Sequence, residues 1–225
     1  MRRLGWFLVV LVVLAGLAYG ADVVLRDAAE DRVAAEVDRV IPGVAHTPDV
    51  TIEGFPFLTQ VVAGELDSVR LDSAAANVQG LRLQDVVVRL QGVTVESPYR
   101  ARTAELTALV TPVAAKTALG LTDLDLTVRS GELLAGATVL GLPLDVALTT
   151  RVEGSEVVVD VEAFVLGGVR VEATDLPAEI TAQVQDLRFA VNGLPANMRL
   201  TGVTVVDGGV EIAATGHDIE LSAAG

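Results

Sequence analysis

Residues 51–64 read Thr-Ile-Glu-Gly-Phe-Pro-Phe-Leu-Thr-Gln-Val-Val-Ala-Gly and form the most distinctive segment of the chain. Two of the five phenylalanines lie here, one on each side of Pro56, and a glycine stands beyond each of them. Pro56 fixes its own φ and biases Phe55 toward an extended backbone, so both rings are held in set directions. The segment predicts either a plug that closes one end of a β-sheet core or a rigid apolar lip at the mouth of a cavity.

Downstream of this segment, hydrophobicity alternates with a period of two. The alternation is clearest in four places, at residues 124–128, 144–148, 169–171 and 210–214. Strands with one apolar and one polar face are typical of antiparallel sheets. Tight hairpin turns are predicted at Asp207-Gly208-Gly209 and, less strongly marked, at Glu153-Gly154-Ser155.

The phase of the alternation slips inside one predicted strand. Leu81 and Leu83 are apolar at odd positions, Val86 and Val88 at even positions, and the odd phase returns after Gly92. A bulge absorbs such a slip and bends the strand. We therefore expect an α+β, mostly β fold with a long, curved antiparallel sheet. A short second helix is predicted from Pro112 to Leu119, with Thr111 as its N-cap and Gly120 as its stop.

The N-terminus predicts a membrane-directed segment. Arg2 and Arg3 precede an uncharged run from Leu4 to Ala21, and basic residues before an apolar stretch are typical of a signal peptide or a membrane anchor. The small residues around Ala18-Tyr19-Gly20 would suit cleavage, so both interpretations stay open. We expect residues 1–21 to be this segment and residues 22–225 to form a single domain.

Residues 22–41 predict an amphipathic helix that continues from the apolar run. Its apolar face is Val33, Val37, Val40 and Ile41, and acids such as Glu30 fill much of the remainder. Pro42-Gly43 would end it. The helix needs an apolar surface, and we expect the concave face of the curved sheet to wrap around it.

Composition narrows the choice of partners. The formal net charge of −14 excludes nucleic-acid binding by phosphate neutralisation, and any membrane contact must be local and apolar or tethered. The chain has no cysteine, which excludes disulfides and a lipoprotein-type anchor. Aromatic residues make up only 4% of the chain, so Val, Leu and Ala must build its core.

The sequence carries no catalytic or metal-binding motif that we can identify. His46 and His217 stand in no His-x-x-x-His spacing, and Gly154-Ser155-Glu156 predicts a turn, not a nucleophile elbow. We therefore expect no enzymatic activity, no cofactor and no metal site.

A longer pattern carries a resemblance to a known family. Residues 48–60 read Pro-Asp-Val-Thr-Ile-Glu-Gly-Phe-Pro-Phe-Leu-Thr-Gln, followed by Gly64 and Val69-Arg70-Leu71. The tail adds Gly193-Leu194-Pro195, Val203-Thr204-Val205, Asp207-Gly208-Gly209-Val210 and Gly216-His217-Asp218-Ile219. This pattern resembles the LmeA family of phospholipid-binding proteins. The resemblance implies a cell-envelope protein with a fold similar to BPI-type tubular domains, in which a curled sheet surrounds a long helix and an apolar tunnel.

Two functional hypotheses follow. In the first, the protein faces the envelope, secreted to the periplasm or held at the membrane by its N-terminal segment, and binds phospholipid acyl chains in the tunnel for lipid carriage or envelope maintenance. In the second, it is a membrane-tethered scaffold with a solid core and unknown protein partners. The first predicts lipid contacts from the following side chains: Phe55, Pro56, Phe57, Leu58, Val61, Val62, Val33 and Val37.

Overall fold

The structure is a computed structural model that describes residues 2–40, 47–78, 80–119, 124–139, 142–175, 187–191 and 194–221. The helices are α1 (Arg2–Val40), α2 (Phe57–Ala63) and α3 (Pro112–Leu119). The strands of the first half are β1 (Asp49–Glu53), β2 (Glu65–Val78), β3 (Leu81–Thr94), β4 (Arg100–Val110), β5 (Asp125–Arg129) and β6 (Glu132–Val139). Those of the second half are β7 (Leu142–Glu153), β8 (Glu156–Leu166), β9 (Val169–Glu172), β10 (Leu187–Ala190), β11 (Met198–Val206) and β12 (Gly209–Glu220).

The strands form two antiparallel sheets of six strands each. The first has the order β1-β2-β3-β4-β12-β11, and the second has the order β10-β8-β7-β6-β5, with β9 also paired to β8. The prediction of an α+β, mostly β fold is confirmed. The strands fall into two sheets because β4 pairs with β12, for example Ala108 with Ile212, and not with β5. Strand β5 therefore begins the second sheet.

The phase slip in β3 is a bulge, as predicted. Asp85 has a φ of 47°, and the register between β3 and β4 shifts between Gln84 and Val87. The shift lets Leu83 and Val86 both be buried although they lie an odd number of residues apart. Both predicted hairpins are also present, because β7 and β8 flank residues 154–155 and β11 and β12 flank residues 207–208.

The helices follow their sequence signals. In α3 the Ala114 N–H donates to Thr111 Oγ1 over 3.2 Å, which makes Thr111 the expected N-cap. The stop residues Gly120 and Pro42-Gly43, and Ile41, lie outside the described residues. Helix α1 runs unbroken from the apolar segment to Val40. Within the described ranges, no helix has the length and apolarity that crossing a membrane would need.

The core of the first sheet lies on one of its faces. Ile52, Phe57 and Leu90 belong to one buried cluster, to which α1 contributes Ala34 and, at its margin, Ala29. Helix α1 makes its main contacts with β1 and α2. The first sheet and the long helix are thus joined mainly through residues 51–64.

Candidate functional site

The turn between β1 and α2 depends on Gly54. Its φ is 93°, and a Cβ placed there would lie 2.6 Å from Gln60 Nε2 and 2.9 Å from Asp67 Oδ2. The buried Gln60 side chain fills this space, since its Nε2 donates to the Glu53 carbonyl over 3.3 Å and its Oε1 accepts the Asp67 N–H over 2.8 Å. Gln60 therefore ties α2 to both β1 and β2, and only glycine leaves room for it.

The N-terminus of α2 is capped from another helix. Pro56 stands at the N-cap position and offers no side-chain acceptor. Instead Asp22 of α1, only 2% exposed, accepts the Phe57 N–H over 3.0 Å and the Leu58 N–H over 2.8 Å. The first N–H groups of a helix have no partner within it, and a carboxylate is favoured there. Asp22 thereby fixes α2 against α1.

The charge state of Asp22 follows from these contacts. Burial raises its pKa, but the backbone N–H groups of Leu58 and Phe57 and the nearby Arg26 guanidinium outweigh this and hold the pKa below its ordinary value. The side chain is accordingly a carboxylate at neutral pH, the form that both N–H donors require.

Two more charged residues of α1 extend the same contact. Arg26 donates to the Gly54 carbonyl over 2.6 Å, and Glu30 Oε1 accepts the Ile52 N–H over 2.7 Å. Asp22, Arg26 and Glu30 are four residues apart and so share one helix face. Glu30 was expected among the acids that fill the polar side of the helix, but it lies on the face that holds β1. The sequence signal for this contact is the spacing of four residues between charged side chains. In an acidic chain, the same spacing is also expected on a helix face that is exposed to solvent.

The predicted lip residues take different positions. Phe57 lies in the core, whereas Phe55 is 63% exposed with its ring centroid 5.7 Å from that of Tyr19. Val62 is 88% exposed on the outer side of α2, and Val61 is also exposed. Leu58 is half-buried, and Pro56 is exposed. The structure thus brings Phe55, Pro56, Leu58, Val61 and Val62 together around one short helix.

Val33 and Val37 lie elsewhere. Asp22 of α1 contacts the start of α2 and Glu30 contacts Ile52 in β1, so the helix beyond Glu30 runs past β1, away from α2. There Val33 is 37% exposed and Val37 is half-buried. These two residues do not join the apolar group around α2.

The second sheet has an apolar face that the sequence alone did not predict to be a site. Its cross-strand partners place Leu126, Ala135, Val146 and Phe164 in one row across four strands. A neighbouring row contains Val128, Leu133, Leu148 and Val161. Leu126, Val146 and Phe164 are only half-buried. The sequence shows the alternation within each strand, but the alignment of the rows needs the register, including the bulge near Leu148.

The opposite face of the second sheet is charged. Arg170 lies between Glu132, Glu162 and Glu172, with nitrogen to oxygen distances of 3.3, 3.6 and 2.9 Å. Ala147 and Ala163 lie on the same side of the sheet and are fully buried. The sheet therefore presents one ion-paired face and one apolar face.

The apolar faces of the two sheets are continuous. Val152 and Val157 are cross-strand partners on the same side of the second sheet as Leu148 and Val161. Both pack against the buried cluster of the first sheet that includes Leu83. An apolar surface therefore runs from the core of the first sheet onto the half-buried face of the second.

These features define a class of protein. A mostly β domain whose two sheets are not closed, with half-buried apolar rows and an exposed apolar helix, presents the kind of apolar surface that marks a site for a ligand, a membrane or a protein partner. In the described part of the chain, no group of three or more His, Asp or Glu side chains is arranged to hold a metal ion.

A family model described as LmeA-like phospholipid-binding matches residues 20–215. The chain therefore belongs to the LmeA-like phospholipid-binding family, as the motif around Phe55 predicted. No curated protein and no solved structure matches the chain.

Proposed function

We propose that the protein binds the acyl chains of a phospholipid against the half-buried apolar face of its second sheet, in an apolar tunnel. The lip around Phe55 and Val62 stands at the entrance. The role is lipid carriage or envelope maintenance, and no catalytic step is part of it. The observation that carries the proposal is the family match over residues 20–215, which includes the second sheet, residues 51–64 and all of the first sheet except the last five residues of β12.

The apolar rows supply the physical support. Each CH₂ group removed from water contributes about 0.8 kcal/mol, so a protein that accepts an acyl chain must offer a comparable apolar surface. Val146 and its neighbours offer such a surface without polar side chains that would have to be desolvated. In this proposal, small and branched residues leave room for the acyl chains that larger rings would fill.

The proposed location is the outer face of a membrane, in the cell envelope. The support is the sequence of the first 21 residues, in which two arginines precede an uncharged apolar run. In this proposal the segment directs the chain to the membrane and, if it is retained, anchors it there. The strongly acidic body then faces water.

The experiment compares two asparagine substitutions on opposite faces of one strand. Val146→Asn places an amide on the apolar face, and Thr149→Asn places the same amide at an exposed position on the charged face. Each protein is made without residues 1–17, so that it keeps Tyr19 and Asp22. It is incubated with liposomes that contain a labelled phospholipid, and the labelled lipid recovered with the protein is measured.

Val146→Asn should take up less lipid than the unaltered protein, because an amide buried by an acyl chain without a partner costs about 1–3 kcal/mol. That corresponds to an affinity roughly 5- to 150-fold lower. Thr149→Asn should take up as much as the unaltered protein. Equal uptake by both variants would show that the second sheet is not part of the lipid-binding site. Circular dichroism checks that both variants remain folded.

A further inference from the structure

Exposed aromatic side chains gather at one end of the molecule. Among the described side chains, the exposed aromatic ones are Tyr19, Phe55 and Tyr99. Tyr19 and Phe55 are in ring contact. Tyr99 belongs to the loop between β3 and β4, and this loop adjoins the end of α2 through the hydrogen bond from the Val95 N–H to the Gly64 carbonyl, at 3.1 Å. The rings of Tyr19 and Phe55 therefore lie beside the start of α2, and the loop that carries Tyr99 adjoins its end.

Helix α2 adds an uncharged, apolar surface between these rings. No charged residue occurs from Gly54 to Gly64, although the chain as a whole carries a net charge of −14. Phe57 and Gln60 face the protein, while Val62 on the opposite side is 88% exposed. Val62 has no packing role that would explain its place in the fold.

The position of this surface relative to α1 is fixed. Asp22, which holds the first two N–H groups of α2, immediately follows Ala21, the last residue of the uncharged run. The start of α2 therefore lies within one helical turn of the end of that run.

We propose that this surface, formed by Val62 and the rings of Tyr19, Phe55 and Tyr99, seats the domain on the headgroup region of a phospholipid bilayer. The inference rests on the proposed function for its choice of partner. Tyrosine is enriched at membrane interfaces because its ring is apolar and its hydroxyl is polar. An acidic protein cannot rely on attraction to anionic headgroups, so an uncharged apolar contact is the kind that suits it.

The size of the surface favours a bilayer over a protein. A stable protein interface buries about 800 Å² on each partner, from roughly 20 residues or more. Two turns of helix and three rings offer far fewer residues. A few apolar side chains inserted at the headgroup boundary are enough for interfacial attachment when a second membrane signal lies beside them, and here that signal is the uncharged run from Leu4 to Ala21.

The test uses the absence of cysteine from the chain. Val62→Cys and, separately, Val113→Cys are introduced into the full-length protein and labelled with a polarity-sensitive fluorophore. Val113 is the matched control, because it is a valine with 74% exposure on the other short helix, α3. Each protein is reconstituted into phosphatidylcholine vesicles with and without lipids that carry a quencher at the headgroup boundary.

The Val62 probe should shift its emission to shorter wavelength and be quenched by the quencher lipids, whereas the Val113 probe should remain as in water. A Val62 probe that stays aqueous on vesicles would overturn the proposal and leave a protein partner as the occupant of the surface. Phospholipid uptake is measured on the same samples. If the fluorophore at position 62 stays in water while phospholipid uptake is normal, only the proposed contact with the bilayer is rejected. If the fluorophore enters the bilayer but no phospholipid is taken up, only the lipid-carrying function is rejected.

Discussion

Asp22 is the residue on which the arrangement around α2 depends most. Its carboxylate replaces the cap that Pro56 cannot provide, and it does so from a helix 35 residues earlier in the chain. Sequence reasoning placed Asp22 at the start of an amphipathic helix and gave it no partner. Capping signals are read from neighbouring residues, and a cap supplied from so far away leaves no local signal.

Asp22→Asn should lower the stability of the domain at neutral pH. An amide has one acceptor oxygen and presents N–H donors to the second backbone N–H, so one of the two bonds to α2 is lost. The measurement is a urea unfolding curve, and the expected result is a lower midpoint. Asp27→Asn, at an exposed position of the same helix, should leave the midpoint unchanged.

The effect of Asp22→Asn on stability should also depend on pH. The pKa of Asp22 is lowered in the folded state, so its contribution to stability is present above the unfolded pKa and disappears as the pH falls through the folded value. The difference between the unaltered protein and Asp22→Asn should therefore narrow below a pH of about 4. A difference that stays constant into the acid range would show that the charge of Asp22 has no role.

The two phenylalanines show how far sequence alone could go at single positions. The sequence left a core plug and an exposed lip as alternatives, and the structure places Phe57 in the core and Phe55 at the surface in contact with Tyr19. Pro56 between them makes them point in different directions, but which ring faces the core depends on where α1 and β2 lie. That information is not present in the local sequence.

Among the secondary-structure elements, the turn from β1 into α2 should be the least tolerant of change. Gly54 has a positive φ, and the Cβ of an alanine there would meet Gln60 and Asp67. Gly80 also has a positive φ, but a Cβ added there would lie in open space. A left-handed alanine costs about 1–2 kcal/mol, which we expect for Gly80→Ala. Gly54→Ala should cost at least about 1 kcal/mol more, because its neighbours must also move.

Urea unfolding of both variants checks this expectation. Equal losses of stability would mean that Gln60 yields without cost and that the turn does not need glycine for space. The Gly54 variant should also expose α2, so limited proteolysis near Val62 should accelerate in it and not in the Gly80 variant.

Strands and helices were predicted with more success than their contacts. Alternation in β12 and β7, the bulge at Asp85 and the N-cap at Thr111 all rest on residues close together in the chain, and all are present. The face of α1 was harder, because its binding residues are the charged Asp22, Arg26 and Glu30. A method that searches for apolar periodicity finds Val33 and passes over them.

For the whole molecule, the division into two sheets was the feature that the sequence did not reveal. It follows from the pairing of β4 with β12, which brings together Val110 and Val210, 100 residues apart. Such long-range pairing has no local signal. The apolar rows of the second sheet depend on it indirectly, since they become one surface only when the strands align and the sheets meet at Val152 and Val157.

The most direct measurement is native mass spectrometry of the protein from Ala18 onward, expressed in a bacterial host and purified without detergent, followed by lipid extraction. If the protein carries lipid as proposed, the measurement should give a bound mass equal to one phospholipid per chain, and extraction should recover that lipid. A clean apoprotein mass, with no uptake from liposomes, would contradict it and support a tethered scaffold with a solid core.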